Sequence, residues 1–290
     1  MKHFFLSVLF IVSAIVVNAQ SQLKLPPLSP NAKISQDFST SSIDISYSRP
    51  SMRGRKIFGD IIPYGKPWRT GANAPTKIKI GEEMEIGGQK VKAGEYTLYT
   101  VPGRSEWEVI LTTGNGALPA DGYPRDLDVA RFNIKPSYFE GDCQTFTMLI
   151  TDITFTSCKL EIVWERTKVV IPIVARNAEH IEENIDKTLN HPAQLPYFQA
   201  ASYYFESDRK LDLANTYVDK AIEQDPKAFY IWYLKARIEK KLGNNEEAVA
   251  AAKKSMELAK GTPNEGEYMH NNGKLIEEIN RTKQRRQVND

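Results

Sequence analysis

Between residues 34 and 173, apolar and polar positions alternate with a period of two in a series of short runs. This alternation is typical of antiparallel strands that have one buried face. Turn signals rich in glycine separate the runs, at positions 87–88, 93–94, 102–103 and 113–116. About nine or ten strands with no helical segment between them predict an antiparallel β-sandwich or jelly roll over residues 33–174. Trp107 and Trp164 fall in phase with the apolar positions, so both are predicted to lie in its core.

After residue 175 the spacing of apolar positions changes to that of helices. A connecting helix is predicted within residues 175–195, near 176–189. Residues 196–290 follow as a helical region that ends in a polar capping helix near 265–285. The other helices of this region are predicted near 196–206, 211–224, 228–242 and 245–260. The chain therefore divides into a β half and a helical half.

Several positions of the helical half recur at a constant spacing of 34 residues, for example at 198 and 232. The recurring pairs are Phe198 and Trp232, Ser202 and Ala236, Ala214 and Ala248, Val218 and Ala252, and Ala221 and Ser255. Small residues at these positions let antiparallel helices approach closely, so this half resembles tetratricopeptide repeats. We expect Trp232, Ala236 and Ala248 to meet at one tight helix–helix contact. Because two repeats bury little core, we expect them to be marginally stable alone and to pack against the β-sandwich.

The N-terminus has the pattern of a secretory signal peptide, predicted at residues 1–19. Lys2 and His3 precede an apolar run that ends in the cleavage pattern Val17-Asn18-Ala19. The run of about 14 residues is too short to cross a bilayer core of about 30 Å. Cleavage would leave Gln20 at the start of a linker over residues 20–32, and no later segment is predicted to span a membrane.

The overall charge is nearly balanced, with 38 basic and 36 acidic residues. Loss of Lys2 with the signal peptide would leave 37 against 36, a net charge of +1. Such a chain is not a polycation, so nucleic acid is not expected as a partner. No strand–loop–helix context surrounds the glycines, so a phosphate-binding loop is not predicted either.

Histidine placement limits the chemistry of the β half. His180, His191 and His270 all lie in the helical half. A Ser-His-Asp or Cys-His site, or an imidazole-bound metal, is therefore excluded from the β-sandwich, and we predict no metal and no cofactor.

Carboxylate chemistry needs no histidine, so it stays an alternative. The densest acidic segments, 82–85 and 126–128, are interpreted as solvated turns, and calcium binding near Asp121 is the weaker interpretation. A hydrolase of envelope polysaccharide that uses two paired carboxylates is still possible from the sequence.

The two cysteines flank one predicted hairpin that turns near residue 154. Symmetric pairing would place Cys143 opposite Arg166 and Cys158 opposite Thr151. Their Cα atoms would then lie beyond the roughly 7 Å that a disulfide spans. An oxidising compartment permits a disulfide, but the geometry favours two separate thiols.

Residues 47–73 concentrate cations in a segment rich in glycine and proline. The basic residues are Arg49, Arg53, Arg55, Lys56, Lys66 and Arg69, against the single acid Asp60. Tryptophan and arginine together can stack on a ring while guanidinium groups hold a carboxylate or phosphate. The candidate ligand-binding residues are Arg49, Arg53, Arg55, Trp68, Arg69 and Asn73.

A structural role for the same segment is the alternative. Apolar residues within it could anchor a long Ω-like loop on its own side chains. These residues are Ile57, Phe58, Ile61, Ile62 and Tyr64. The sequence leaves ligand recognition and loop anchoring equally open.

The run SYSRPSMRGRKIFGDIIPYGKPWRTGAN, followed by KAGEYTLYTVPG, WEVIL and IVWERTKVVIPI, resembles the secreted domain-of-unknown-function 2911 family over about residues 30–174. The resemblance implies an exported β-rich domain of Gram-negative bacteria, often followed by helical repeats. It implies no activity.

The leading hypothesis is a non-catalytic exported binding or scaffold protein, in the periplasm or outside the cell. The β-sandwich would recognise a small anionic ligand or a glycan, and the helices would engage a partner protein or brace the sandwich. The alternatives are the carboxylate-dependent hydrolase and a purely structural protein.

Overall fold

A computed structural model describes residues 25–114, 125–189 and 195–289, the last five of these by backbone only. The predicted signal peptide, His191 and Asp121 lie outside these residues. The β half is built from antiparallel strands, as predicted. They are β1 (Asn31–Phe38), β2 (Ser41–Ser48), β3 (Thr76–Ile80), β4 (Met84–Ile86), β5 (Gln89–Val91), β6 (Gly94–Val101), β7 (Trp107–Thr112), β8 (Asp128–Ile134), β9 (Ser137–Thr151) and β10 (Ser157–Ala175). A single 3-10 turn, Arg125–Leu127, precedes β8.

The strands form two open sheets with one core between them. One sheet has the order β1-β2-β3-β6-β7-β8 and the other β5-β4-β10-β9. The chain crosses between the sheets in the short connection from β3 to β4, and the alternating apolar side chains of both sheets meet in one hydrophobic cluster. Trp107 and Trp164 are buried in it, as their phase in the sequence predicted.

The longest hairpin contains both cysteines. The register of β9 and β10 shifts on either side of Glu165, which pairs with Cys143 and has a left-handed φ of 55°. This irregularity moves Cys143 opposite Glu165 instead of the predicted Arg166. At the other end of the hairpin Thr151 pairs with Lys159, not with Cys158 as predicted. Both thiols are free, as predicted, and burial raises the pKa of Cys158 to about 12.

Six helices follow the sandwich within the described residues. They are α1 (Ala178–Leu189), α2 (Tyr197–Glu206), α3 (Leu211–Gln224), α4 (Phe229–Leu242), α5 (Asn245–Ala259) and α6 (Glu265–Asn289). The helices agree closely with those predicted from apolar spacing. None of the described helices is long and apolar enough to cross a membrane.

The helices pack as the repeat predicted. Ala236, Ala248 and Ala252 are completely buried, and Trp232 packs against them. Leu275 of α6 completes this cluster, so the predicted tight contact is confirmed. Helix α4 contacts both α2 and α6, and these three helices share one face of the repeat region.

The sandwich and the helices have separate hydrophobic clusters. The helices still lie against the sandwich, in agreement with the expected packing, because Ile181 of α1 and Tyr203 of α2 line one surface pocket together with Phe38 and Phe155. Polar contacts also join the two parts. The Asn177 side-chain amide donates to Glu82 Oε2 at 2.6 Å and to Thr40 Oγ1 at 2.8 Å. Arg176 forms an ion pair with Glu85.

Candidate functional site

Residues 49–73, here called the clasp, link β2 to β3 of the six-stranded sheet and bridge to the four-stranded sheet by hydrogen bonds. After β2 the clasp pairs with β9, because Met52 N–H donates to Gln144 C=O at 2.8 Å. It then returns to the other sheet, where Trp68 and Thr100 of β6 exchange backbone hydrogen bonds of 2.7 and 3.0 Å. The segment predicted to bind a ligand therefore closes the end of the β-sandwich.

Trp68 lies in the core, with only 6% of its surface exposed. Its Nε1–H donates to the Gly71 carbonyl at 2.8 Å. Its ring packs among aromatic side chains from both sheets and from the clasp. The centroid distances are 6.0 Å to Phe58, 6.3 Å to Trp107, 5.2 Å to Phe146 and 5.9 Å to Trp164. The ring of Trp68 is therefore packed in the core and is not presented at the surface of the sandwich.

The turn that begins at residue 57 is anchored by buried side chains and by hydrogen bonds to a strand carboxylate. Ile57 and Phe58 are buried, which agrees with the structural alternative. The Glu165 carboxylate accepts both of their backbone N–H groups, each at 3.3 Å. Gly59 has a φ of 87°, and a Cβ there would lie 2.5 Å from the ring of Tyr64. The local fold therefore requires glycine at this position.

Two candidate arginines hold backbone carbonyls rather than an open site. Arg49 donates to Phe146 C=O at 3.1 Å and to the Thr147 hydroxyl at 2.7 Å. Arg55 donates to the carbonyls of Met52 and Ser51 at 3.0 and 2.9 Å. Their guanidinium groups stabilise the path of the clasp.

The other three candidates make similar contacts. Arg69 donates to Asn73 C=O within the clasp. Arg53 donates to Leu28 C=O at 3.1 Å, and Asn73 donates to Ser29 C=O at 3.3 Å. Both of these fasten the segment before β1. The structure thus brings the six candidates into one hydrogen-bonded closure, and ligand binding there stays a prediction.

A cavity of about 460 Å³ lies between α2, α4 and α6. Cationic and aromatic side chains make up most of its lining. The lining residues are Phe205, Tyr233, Arg237, Lys240, Lys241, Asn271, Lys274, Leu275 and Glu278. This is the shared face of the repeat helices, and the concave face of stacked repeats is where such proteins bind partners.

Arg237 and Lys241 are held at the cavity by ring contacts and exposed ion pairs. The Arg237 guanidinium lies 4.5 Å from the centroid of the Phe205 ring, and the Lys241 ammonium 5.3 Å. Each also has a carboxylate partner at 2.9 Å, Glu206 for Arg237 and Asp208 for Lys241. The cavity therefore presents cations on an aromatic floor.

Two further cations of the cavity differ in their partners. Lys240 pairs with Glu278, and its hydrogen bond lowers the pKa of that carboxyl. Lys274 has no ion pair or hydrogen bond to any side chain in the described ranges. Of the four cations, Lys274 is thus the one without a direct carboxylate contact among the described residues, and its charge also helps to lower the pKa of Glu278.

An aromatic row continues from this cavity toward the N-terminal ends of the helices. Tyr233 packs edge-on against Tyr268 at 5.5 Å, and Tyr268 packs against Phe229 at 4.6 Å. Tyr230 adjoins Phe198 at 5.1 Å and is 41% exposed. The shared face of α2, α4 and α6 therefore has a basic end and an aromatic end.

Sequence reasoning missed the basic cavity. Lys240 and Lys241 lie in the last turn of α4, where cations commonly complement the helix dipole. Lys274 comes from a separate helix that the sequence predicts only as a polar cap. The signal that could have placed these residues on one face is the continuation of the repeat spacing into α6.

The other predicted features are placed as solvated or structural groups. His180 and His270 are exposed. Glu82, from the acidic segment 82–85, belongs to the joint with Asn177. Asp128 pairs with Arg131 at 2.7 Å. Among the described residues, no group of three or more acidic, histidine or cysteine side chains could hold a metal ion.

The fold and these surfaces define a two-part protein, a β-sandwich followed by tetratricopeptide repeats. A family model described as protein of unknown function (DUF2911) matches residues 29–173, half of the chain, so the chain belongs to that family. A second model, tetratricopeptide repeat, matches residues 217–250. The resemblance stated from the sequence is confirmed on both counts. Comparison with curated proteins finds no match. The repeats suggest a protein-interaction or scaffold role.

Proposed function

We propose that this protein is an exported, non-catalytic scaffold whose helical repeats bind an acidic segment of a partner protein. The observation that carries the proposal is the cavity between α2, α4 and α6, with Arg237, Lys241 and Lys274 around an aromatic floor. The sandwich supplies a rigid support. The support for a periplasmic or extracellular location is the signal-peptide pattern of residues 1–19, which predicts a mature protein that starts at Gln20.

The existing ion pairs of the cavity do not block such a ligand. The side chains of Arg237 and Glu206 are each 36% exposed, and the side chains of the other two ion pairs are 36–69% exposed. Exposed pairs of this kind are worth about 0–1 kcal/mol. A carboxylate of the partner can therefore replace Glu206 at the Arg237 guanidinium, which suits two-pronged carboxylate binding.

The aromatic row adds selectivity for the partner. Tyr233, Tyr268 and the exposed Tyr230 offer ring surface next to the basic end. A segment with acidic residues followed by apolar or aromatic ones would match both ends. A small anionic ligand or glycan at the clasp is less well supported, because Trp68 has no free face and the arginines hold backbone carbonyls.

A labelled peptide of alternating glutamate and phenylalanine tests this proposal by fluorescence anisotropy. The same peptide with glutamine in place of glutamate is the matched ligand. We expect the glutamate peptide to bind more tightly, and the double variant Arg237→Glu, Lys274→Glu to lose about tenfold or more in affinity. The double variant Lys253→Glu, Lys260→Glu reverses two exposed lysines outside the cavity lining, so it is the control and should bind like the original chain.

Two results would contradict the proposal. Equal affinity for the glutamate and glutamine peptides would show that the cations contribute nothing. An equal loss in Lys253→Glu, Lys260→Glu would show that only the net charge matters. Mass measurement of the protein from its producing cell tests export separately, since an intact Met1 would exclude cleavage at Ala19.

A further inference from the structure

The tip of the clasp carries exposed cations that lack carboxylate partners. These residues, here called the basic tip, are Arg53, Arg55, Lys56, Lys66 and, from the neighbouring loop, Arg104. In the part of the chain that the structure describes, none of them lies within 4.0 Å of a carboxylate oxygen. By contrast, Arg131 and Arg166 on the strands are both paired with acids. The basic tip thus has charge that the protein itself does not neutralise.

An exposed apolar side chain lies on the clasp between Lys56 and Lys66. The turn is closed by Ile62 N–H donating to Ile57 C=O at 2.9 Å and by Gly59 N–H donating to Ile62 C=O at 2.8 Å. In this turn the side chain of Ile61 lies at the surface and is 45% exposed. Asp60, beside Ile61, is the one acid within the clasp.

The two loops of the basic tip are fastened to each other. Gly65 N–H donates to Pro102 C=O at 2.8 Å, which places Lys66 next to the loop that carries Arg104. The Arg104 guanidinium lies 4.8 Å from the centroid of the Tyr64 ring. Since Trp68 and Glu165 fix the clasp from the core side, the cations are presented on a preformed surface.

We propose that the basic tip docks the sandwich onto a bilayer that contains anionic phospholipids, with Ile61 entering the headgroup region. Clustered lysine and arginine residues are attracted to anionic headgroups, and an exposed apolar residue adds burial at the interface. A soluble polyanion would use the cations but would leave Ile61 in water. The presence of an exposed apolar residue and unneutralised cations on the same clasp therefore favours a bilayer.

Docking in this way would direct the helices away from the lipid. The clasp begins at the end of β2, whereas Thr40 of the helical joint immediately precedes the start of β2. Eight residues of strand separate these points, about 25 Å at 3.3 Å per residue. The repeat face would then stay accessible while the sandwich is bound to the membrane.

Cosedimentation with vesicles tests the proposal on the mature chain. Vesicles of phosphatidylcholine are compared with vesicles that contain phosphatidylglycerol, at low and high salt. We expect binding only to the anionic vesicles, weaker at high salt. Lys56→Glu, Lys66→Glu should reduce the partition coefficient by about tenfold or more. Ile61→Ser should reduce it several-fold while leaving its salt dependence unchanged.

The control is the double variant Lys90→Glu, Lys92→Glu, which reverses two exposed lysines outside the clasp and should bind vesicles normally. Circular dichroism verifies that all variants are folded. Equal loss in the control would attribute binding to net charge and overturn the proposal. Absence of vesicle binding by the original chain, or binding to dextran sulfate but not to vesicles, would overturn it as well.

Discussion

Trp68 is the residue at which the clasp and both sheets meet. Its ring lies near Trp107 of one sheet and stacks at 22° on Trp164 of the other. Truncating it would leave a cavity between elements that are otherwise held by short strand pairings. Truncation would therefore destabilise the packing of both sheets and the clasp together.

We predict that Trp68→Ala lowers the free energy of unfolding by roughly 3–5 kcal/mol, the cost of removing a buried aromatic side chain. Urea denaturation followed by far-ultraviolet circular dichroism measures this change. Lys66→Ala, at an exposed position two residues earlier, should stay within about 0.5 kcal/mol of the original chain. If Trp68→Ala proves equally mild, the ring does not support the core.

Tryptophan placement shows what the sequence could and could not predict. Trp107 and Trp164 lie on regular strands, so alternation alone placed them in the core. Trp68 lies on an irregular segment, and its direction is set by pairing with Thr100. That pairing joins distant parts of the chain, and no local pattern encodes it. The role of the clasp therefore needed the structure.

At the scale of elements, the helices were the most predictable part of the chain. Helix α3 spans Leu211–Gln224, the same range as predicted, and α4 is capped after Leu242 by Gly243 with a φ of 88°. Periodicity and terminal glycines are local signals, so they locate a helix well. The cavity was not predictable in this way, because its lining comes from three helices. Ion pairs between helices likewise join residues that are distant in the sequence.

Glu182 forms such ion pairs, joining α1 to the loop between α2 and α3. It is 8% exposed and pairs with Arg209 and Lys210, each at 2.6 Å. Burial opposes its ionisation, but the hydrogen bonds from Lys210 and Arg209 outweigh that effect, so the pKa of Glu182 is lowered from its usual 4.5. Its stabilising contribution is therefore complete above about pH 4.5 and is lost as the pH falls through the lowered value.

We predict that Glu182→Gln destabilises the helical half by about 1–2 kcal/mol at pH 7, a value reduced because both cations are partly exposed. The difference from the original chain should shrink in acid below the usual carboxyl pKa. Urea unfolding followed at 222 nm, at neutral and acid pH, measures it. Glu223→Gln, at an exposed position of α3, should show no such trend. A pH-independent difference would refute the assigned ion pairs.

At the scale of the whole molecule, two units with separate hydrophobic clusters meet at a joint that includes several polar contacts. Asn177 contacts Ser39, Thr40 and Glu82 from the turns of the sandwich. Arg176 N–H also donates to Glu83 C=O at 3.3 Å. Because no hydrophobic cluster is shared, each unit should unfold on its own, and the helical half should be more stable in isolation than its two repeats suggested.

We predict that Asn177→Ala frees the relative orientation of the two units without unfolding either. Small-angle scattering should show a larger radius of gyration and a broader distance distribution. The unfolding of each unit, followed by calorimetry, should change little, since neither core is touched. Lys92→Ala, at an exposed position away from the joint, should leave the scattering unchanged. A curve for Asn177→Ala identical to that of the original chain would show that other contacts fix the joint.

The path of the clasp also determines when the β-sandwich can finish folding. Met52 pairs with Gln144 of β9, and the turn at Ile57 is held by Glu165 of β10. The partners of the clasp are therefore the last strands of the sandwich to be synthesised. Pairings this distant along the chain form late, because loop closure costs entropy before the contacts form. Until β9 and β10 arrive, Phe58 and Trp68 are exposed on an unfinished sandwich, the stage at which a chain aggregates or needs a chaperone. The refolding phase reported by tryptophan fluorescence should accordingly be the slowest one.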